Sequence, residues 1–230
     1  MNSNIEENIN NLWAKIANTC ESYGRKAEEI TLVAVSKTFP ASDVIEAFNA
    51  GQINFGENKV QEMVKKHDEL SEYPIKWHLI GHLQTNKVKY IADFVHLIHS
   101  VDSFKLALEI DKQAQKAKRR IDILVQVNTS NEMQKSGVEV SDAKKLCYEI
   151  KELENVNLCG LMTIGKFTDE TEIIRENFRT LRNLFDEIKP DFNNFSYLSM
   201  GMTSDFEIAI EEGANILRIG SAIFGYRNYN

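Results

Sequence analysis

Two hydrophobic rhythms alternate along the chain. Ile5, Ile9, Leu12, Trp13 and Ile16 recur at the spacing of one helix face, which predicts a helix over residues 5–23 and makes the Leu12–Trp13 stripe core packing. Residues 30–37 then form a short, β-branched, almost wholly apolar run, the signature of a strand buried on both faces. Runs of the same kind recur at 53–55, 76–80, 94–98, 121–127, 156–164, 197–200 and 216–219, making eight strands. Helical patterns lie between them, over 41–50, 58–70, 103–117, 141–153, 169–188 and 204–212.

Strands that alternate with helices imply parallel βαβ units. A closed (β/α)8 barrel takes about 250 residues, so it would use nearly all of the 230 present. An open doubly wound sheet is the alternative, but no GxGxxG follows the first strand. Gly51 and Gly213 each stand where a helix ends before a strand, a position suited to the left-handed cap. The expectation is an α/β fold, a single (β/α)8 TIM barrel in one domain over residues 1–230, with an extra helix over 1–23 packed on it.

Composition sharpens this picture. Hydrophobic residues make up 43% and charged residues 27%, values of a globular chain rather than a disordered one. A net charge of -7 argues against a nucleic-acid scaffold, which needs a basic face. No segment has the roughly 18 apolar residues of a membrane helix, and the polar start lacks the form of a secretion signal. Cys20, Cys147 and Cys159 have no paired spacing and read as reduced thiols, so the expected location is cytoplasmic.

In a barrel, chemistry sits at the C-terminal ends of the strands. Lys37 ends the first strand, on the same face as Val33 and Val35. A lysine at such a lip either snorkels to water or, with its pKa lowered by desolvation, serves as a Schiff-base nucleophile. The segment SMGMTSD (199–205) runs from the seventh strand into a helix, with Ser204 and Glu207 at capping-box spacing. Arg218, Gly220 and Ser221 end the eighth strand. Loops after strands seven and eight are where barrels hold phosphate. An amine beside a phosphate cradle suits a phosphorylated aldehyde, and pyridoxal 5′-phosphate (PLP) is such a cofactor. Arg218 would donate to its pyridine nitrogen and keep that nitrogen unprotonated; otherwise it makes a salt bridge at the lip.

The segments LVAVSK (32–37), FGENK (55–59), WHLIGHLQTNK (77–87), GLMTI (160–164), LSMGMTSD (198–205), LRIG (217–220) and IFG (223–225) run in order through nearly the whole chain. On these the sequence resembles the pyridoxal phosphate homeostasis proteins, also called the proline synthetase co-transcribed bacterial homologue family. That resemblance implies a barrel similar to the N-terminal domain of alanine racemase, PLP fold type III without the second β domain, with PLP held as an aldimine. Carried over position by position, it makes Lys37 the Schiff-base lysine and places Asn58 close to the cofactor. Ser199, Gly201 and Thr203, with Gly220 and Ser221, become the phosphate cradle. Arg218 becomes the pyridine partner, and Met162 and Met200 border the pocket.

The implied function is PLP binding for vitamin B6 homeostasis, with delivery to apo PLP-dependent enzymes through transient contact. Racemases of this fold bring a second acid–base group, a tyrosine, from a further domain for which this length leaves no room. Catalysis is therefore expected to be absent or feeble, no catalytic residue is assigned, and a monomer is expected. The alternatives are a monomeric PLP-dependent amino-acid racemase and a Schiff-base aldolase without PLP. The remaining polar residues have plainer readings. No histidine–carboxylate grouping has metal spacing. Glu57 reads as an ion-pair partner at the lip, His82 as a pocket candidate, and Lys116, Lys118, Arg119 and Arg120 as a solvated helix end.

Overall fold

A computed structural model describes residues 4–130, 132 and 136–225; the expected domain limits, residues 1 and 230, lie outside them. The strands are β1 (Thr31–Val35), β2 (Asn54–Glu57), β3 (Lys76–Leu79), β4 (Leu97–Val101), β5 (Ile121–Asn128), β6 (Val138–Glu139), β7 (Val156–Met162), β8 (Tyr197–Ser199) and β9 (Ile216–Ile219). Eight of them pair in parallel in the order β4-β3-β2-β1-β9-β8-β7-β5, and pairing of β4 with β5 closes the ring. The chain is a single (β/α)8 TIM barrel. The two-residue β6, which no sequence pattern announced, only adds to the end of β5.

The helices α1 (Ile5–Ser22), α2 (Ala41–Asn49), α3 (Val60–Glu69), α4 (Phe104–Lys116), α5 (Val140–Lys151), α6 (Thr171–Ile188), α7 (Phe206–Glu211) and α8 (Ser221–Phe224) surround it. Burial divides into two layers. Val33, Leu97, Leu124, Cys159, Met162 and Ile216 form a small cluster inside the ring. Leu32, Ala34, Phe55, Ile98 and many others form the larger layer between ring and helices. Alternation along β1, with Val33 inward and Leu32 and Ala34 outward, is the pleat expressed as packing.

The helix α1 begins at Asn4, whose side chain accepts a hydrogen bond from the Glu7 N–H. It buries Ile5, Ile9, Leu12, Ile16 and Cys20, four of them large aliphatic groups worth roughly 1.5–3 kcal/mol each. Asn8 donates to the Ile223 carbonyl of α8 at 2.9 Å, so α1 also braces α8.

Some local expectations fail for physical reasons. Strand β4 starts at Leu97 rather than 94, because Phe94 and Val95 bond back to Ile91 in a turn. Between β3 and β4, where no helical pattern was read, the connection is a 3-10 segment, Thr85–Tyr90. The capping box at Ser204 does not form, because Asp205 takes the N-cap position and accepts the Met202 N–H at 2.5 Å. The glycines that close two helices behave as expected, Gly51 at φ +91° and Gly213 at φ +98°.

Candidate functional site

Strand β1 ends at Val35, so Lys37 sits two residues beyond it, half-buried, in a turn at the C-terminal lip of the barrel. The residues either side of it are held firmly. Ser36 is fully buried, its N–H bonded to the Gly56 carbonyl at 3.1 Å and its hydroxyl donating to Glu57 Oε1 at 2.7 Å. Thr38 adopts φ +71° and donates its N–H to Glu62 Oε1 at 2.5 Å. Lys66 of α3 ties these together, donating to the Ser36 carbonyl at 2.7 Å, Glu57 Oε1 at 2.7 Å and Glu62 Oε1 at 2.9 Å. Glu57 thus makes its expected ion pair, but inside the protein at 0% exposure rather than at a wet lip. Burial pushes its carboxyl above the usual range although the Lys66 cation and two hydrogen bonds pull the other way. Its Oε2 is buried without a partner.

Asn58 follows β2 on the same lip, half-buried. Its backbone lies so close to Gly81 that a Cβ there would meet the Asn58 carbonyl at 2.3 Å. Glycine at 81 is therefore a condition for where Asn58 stands.

The loops after β8 and β9 meet across the lip. Ser221 donates to the Thr203 hydroxyl at 3.1 Å, joining two exposed groups 18 residues apart. Gly201 lies at φ +93°, and a Cβ on it would come within 2.6 Å of the Ala209 Cβ, so this turn admits only glycine comfortably. Gly220 lies against Val35, the carbonyl of which is 3.2 Å from where its Cβ would be. Phe39 stacks on Phe224 at 5.0 Å, which draws the Lys37 turn and α8 together.

Arg218 points into the barrel with 4% exposure. Its Nη1 donates to Ser199 Oγ at 2.7 Å and its Nη2 to the Thr163 carbonyl at 2.9 Å. Burial lowers its pKa to about 10, opposed by the nearby Asp205 charge, so the guanidinium stays cationic near neutrality. No carboxylate lies within ion-pair distance of it among the described residues. The salt bridge that was its plainer reading is not made. Burial also raises the Asp205 carboxyl.

The Ser199 hydroxyl is fully buried between Arg218 and His99 Nδ1, at 2.7 and 2.9 Å, inside the barrel rather than beside the Thr203–Ser221 pair. Met200 is buried in the layer between ring and helices, one residue on from inward Ser199. Met162 does lie inside the ring. His82 is 60% exposed and pairs with Asp102 at 3.9 Å, outside the cluster.

Sequence reading missed Lys66, Glu62 and the buried pair His78 and His99, whose rings bond Nδ1 to Nε2 at 2.9 Å. Period-two alternation along β3 sets His78 on the face opposite Trp77, and would have put His99 inward had β4 been placed three residues later. Burial lowers the pKa of His78 to about 3 and drives that of His99 well below its ordinary value, with Arg218 adding to the effect. No group of three or more His, Cys, Asp or Glu among the described residues could hold a metal ion, and no described helix is long and apolar enough to cross a membrane. A cleft of about 430 Å³ between Arg25, Arg182 and Glu212 lies at the opposite end of the barrel from Lys37.

The arrangement has a definite chemical fit. It offers an amine, a hydroxyl pair between two glycine turns, and a buried cation with donors to spare. A ring bearing an aldehyde, an anionic tail and an acceptor nitrogen matches these three features together.

Comparison with known proteins agrees. The profile of the family described as "Alanine racemase, N-terminal domain" matches residues 11–228. A pyridoxal phosphate homeostasis protein of Aquifex aeolicus is 44% identical over 227 residues, 98% of this chain and 100% of the relative. The protein of that name in Escherichia coli K12 is 38% identical over 234 residues, covering 99% of each. The structure of PipY from Synechococcus elongatus with PLP bound superposes with a TM-score of 0.81 at 34% identity, over 91% of this chain and 100% of that one. An alanine racemase of Clostridium difficile 630 shares the fold, with a TM-score of 0.78 at 16% identity, over 99% of this chain and 58% of the racemase.

Proposed function

From the premise that the chain belongs to the pyridoxal phosphate homeostasis protein family, we propose that Lys37 is the amine through which it holds PLP. The protein binds PLP and serves its homeostasis, with little or no catalysis. The observation that carries the site is the convergence on one lip of Lys37, the Thr203–Ser221 hydroxyl pair and Arg218, from three separate strand ends.

Bound PLP would supply a reactive aldehyde and an electron-withdrawing ring. Lys37 would hold the cofactor through that aldehyde, its turn kept in place by Lys66, Glu57 and Glu62. Thr203, Ser221 and the backbone at Gly201 and Gly220 would receive the phosphate. Asn58 and Met162 would border the ring. Arg218 donates to the ring nitrogen and, being a guanidinium that keeps its protons, does not transfer one. An unprotonated ring withdraws fewer electrons, which suits a holder of the cofactor better than a catalyst. Transient contact with apo-enzymes and a monomeric state complete the reading. The alanine racemases at 16% identity speak for the fold alone, so the racemase reading is the weaker one.

Incubation with PLP, borohydride reduction and peptide mapping test this. The expected result is one phosphopyridoxyl group, on Lys37, lost in Lys37→Ala, with slow exchange of amino-acid α-hydrogens in deuterated water. An adduct only on other lysines, or none, would overturn the assignment.

A further inference from the structure

Branched apolar side chains ordinarily fill the interior of such a barrel. Here five polar side chains from five strands cross it: Arg218, Ser199, His99, His78 and Asn54. The bonds are Arg218 Nη1 to Ser199 Oγ at 2.7 Å, Ser199 Oγ to His99 Nδ1 at 2.9 Å, His99 Nε2 to His78 Nδ1 at 2.9 Å, and His78 Nε2 to Asn54 Oδ1 at 3.1 Å.

Donor and acceptor rules fix the direction of this chain. Arginine only donates, so Ser199 accepts from Arg218 and has its own hydrogen left for His99 Nδ1. A neutral His99 then carries its hydrogen on Nε2 and gives it to His78 Nδ1. His78 in turn donates from Nε2 to the Asn54 carbonyl oxygen. Every donor therefore points the same way, from the lip toward Asn54 at the start of β2. The order fails if either imidazole gains a proton, because two N–H groups would face each other or Ser199 would lie between two donors. Burial keeps both rings neutral, and the Arg218 guanidinium adds to the effect at His99.

We propose that His99 and His78 are positioning residues for the ring-nitrogen contact: they hold the Ser199 hydroxyl as an acceptor and so fix the Arg218 guanidinium in the orientation from which it donates to the cofactor. This rests on the cofactor reading above. The Thr163 carbonyl holds the other arm of the guanidinium at 2.9 Å, so loss of the Ser199 bond leaves Arg218 free to pivot about one anchor. A chain that merely plugged the barrel would behave differently, since its loss would affect ligands with and without a ring nitrogen alike.

The test is a ligand comparison. PLP and its 1-deaza analogue, with CH in place of the ring nitrogen, are titrated into wild type, Ser199→Ala, His99→Leu and His99→Asn. Ser199→Ala and His99→Leu should weaken PLP by about tenfold, the scale of one hydrogen bond, and leave the analogue within about twofold. His99→Asn, which keeps an acceptor where Nδ1 stood, should recover most of the PLP affinity. Borohydride should still trap PLP on Lys37 in every variant. Equal weakening of both ligands, no weakening of either, or a wild type that does not distinguish the two ligands would overturn the proposal. If His99→Leu does not fold, Ser199→Ala decides by the same comparison. A wild type that forms no Lys37 adduct would sink the cofactor reading itself, a failure separable from loss of ligand discrimination alone.

Discussion

Lys66 is a cation removed from water, and three oxygens within 2.9 Å account for it. The arrangement is one-sided in energy. Removing one member of a buried ion pair strands the other charge, at a cost of about 3–5 kcal/mol, whereas replacing both can be nearly neutral. Lys66→Met should therefore lower unfolding free energy in urea by about that amount, and Lys66→Met with Glu57→Gln should recover much of it. The cluster also offsets strain in the turn it grips, because a β-branched residue at φ +71° costs about 1–3 kcal/mol. Only part of this is legible from residues. Glu62 and Lys66 stand four apart and read as an exposed helix pair. That Glu57 and the Ser36 carbonyl arrive from two strands and bury the pair depends on contacts far apart in sequence.

Among the elements, β7 shows how one residue shapes the site. Its register with β5 jumps from Ile123↔Leu158 to Leu124↔Gly160, so Cys159 is an extra residue in a bulge. Gly160 lies at φ +154°, and a Cβ there would stand 1.8 Å from the Tyr197 carbonyl. The bulge resets which side chains face inward, and Met162 and the Thr163 carbonyl, the second anchor of Arg218, follow from it. Gly160→Ala should destabilise the fold by roughly 2–5 kcal/mol through strain and overpacking, read as a lowered midpoint in thermal or urea unfolding. A glycine inside a strand pattern is a visible hint of such a bulge, but which neighbour it meets is not written locally. The shifted start of β4 is similar. Phe94 and Val95 are as apolar as a strand requires, and their pairing inside a turn, not their type, excludes them.

For the molecule as a whole, the two neutral imidazoles at the centre of the barrel link stability to pH. Each has a folded pKa below its ordinary value of 6.5, that of His78 at about 3. The unfolded chain therefore takes up protons below pH 6.5 that the folded barrel refuses. Stability is unaffected by them above that value and falls as pH drops from 6.5 toward 3, by roughly 1.4 kcal/mol per unit for each histidine. Urea midpoints measured between pH 7 and 4.5 should show this decline, and replacing both histidines by neutral residues should flatten it. An unchanged slope in the double variant would mean that other groups control acid unfolding.

Hydrophobic period and length alone determine the repeating βα units and the ring they close, because each strand must be buried on both faces and each helix on one. The same reading locates Lys37, Arg218 and the two glycine turns at strand ends, since a strand's end is a local property. What lies between those points was decided by closure of the barrel. Closure brings β3 and β4 face to face with β8 and β9, turns four scattered polar side chains and an arginine into one directed chain, and removes the Ser199 hydroxyl from the lip to serve it. The physical reason is that a buried polar group must find its partner, and in a parallel barrel that partner comes from another strand, as Ser199 meets His99 from a hundred residues away.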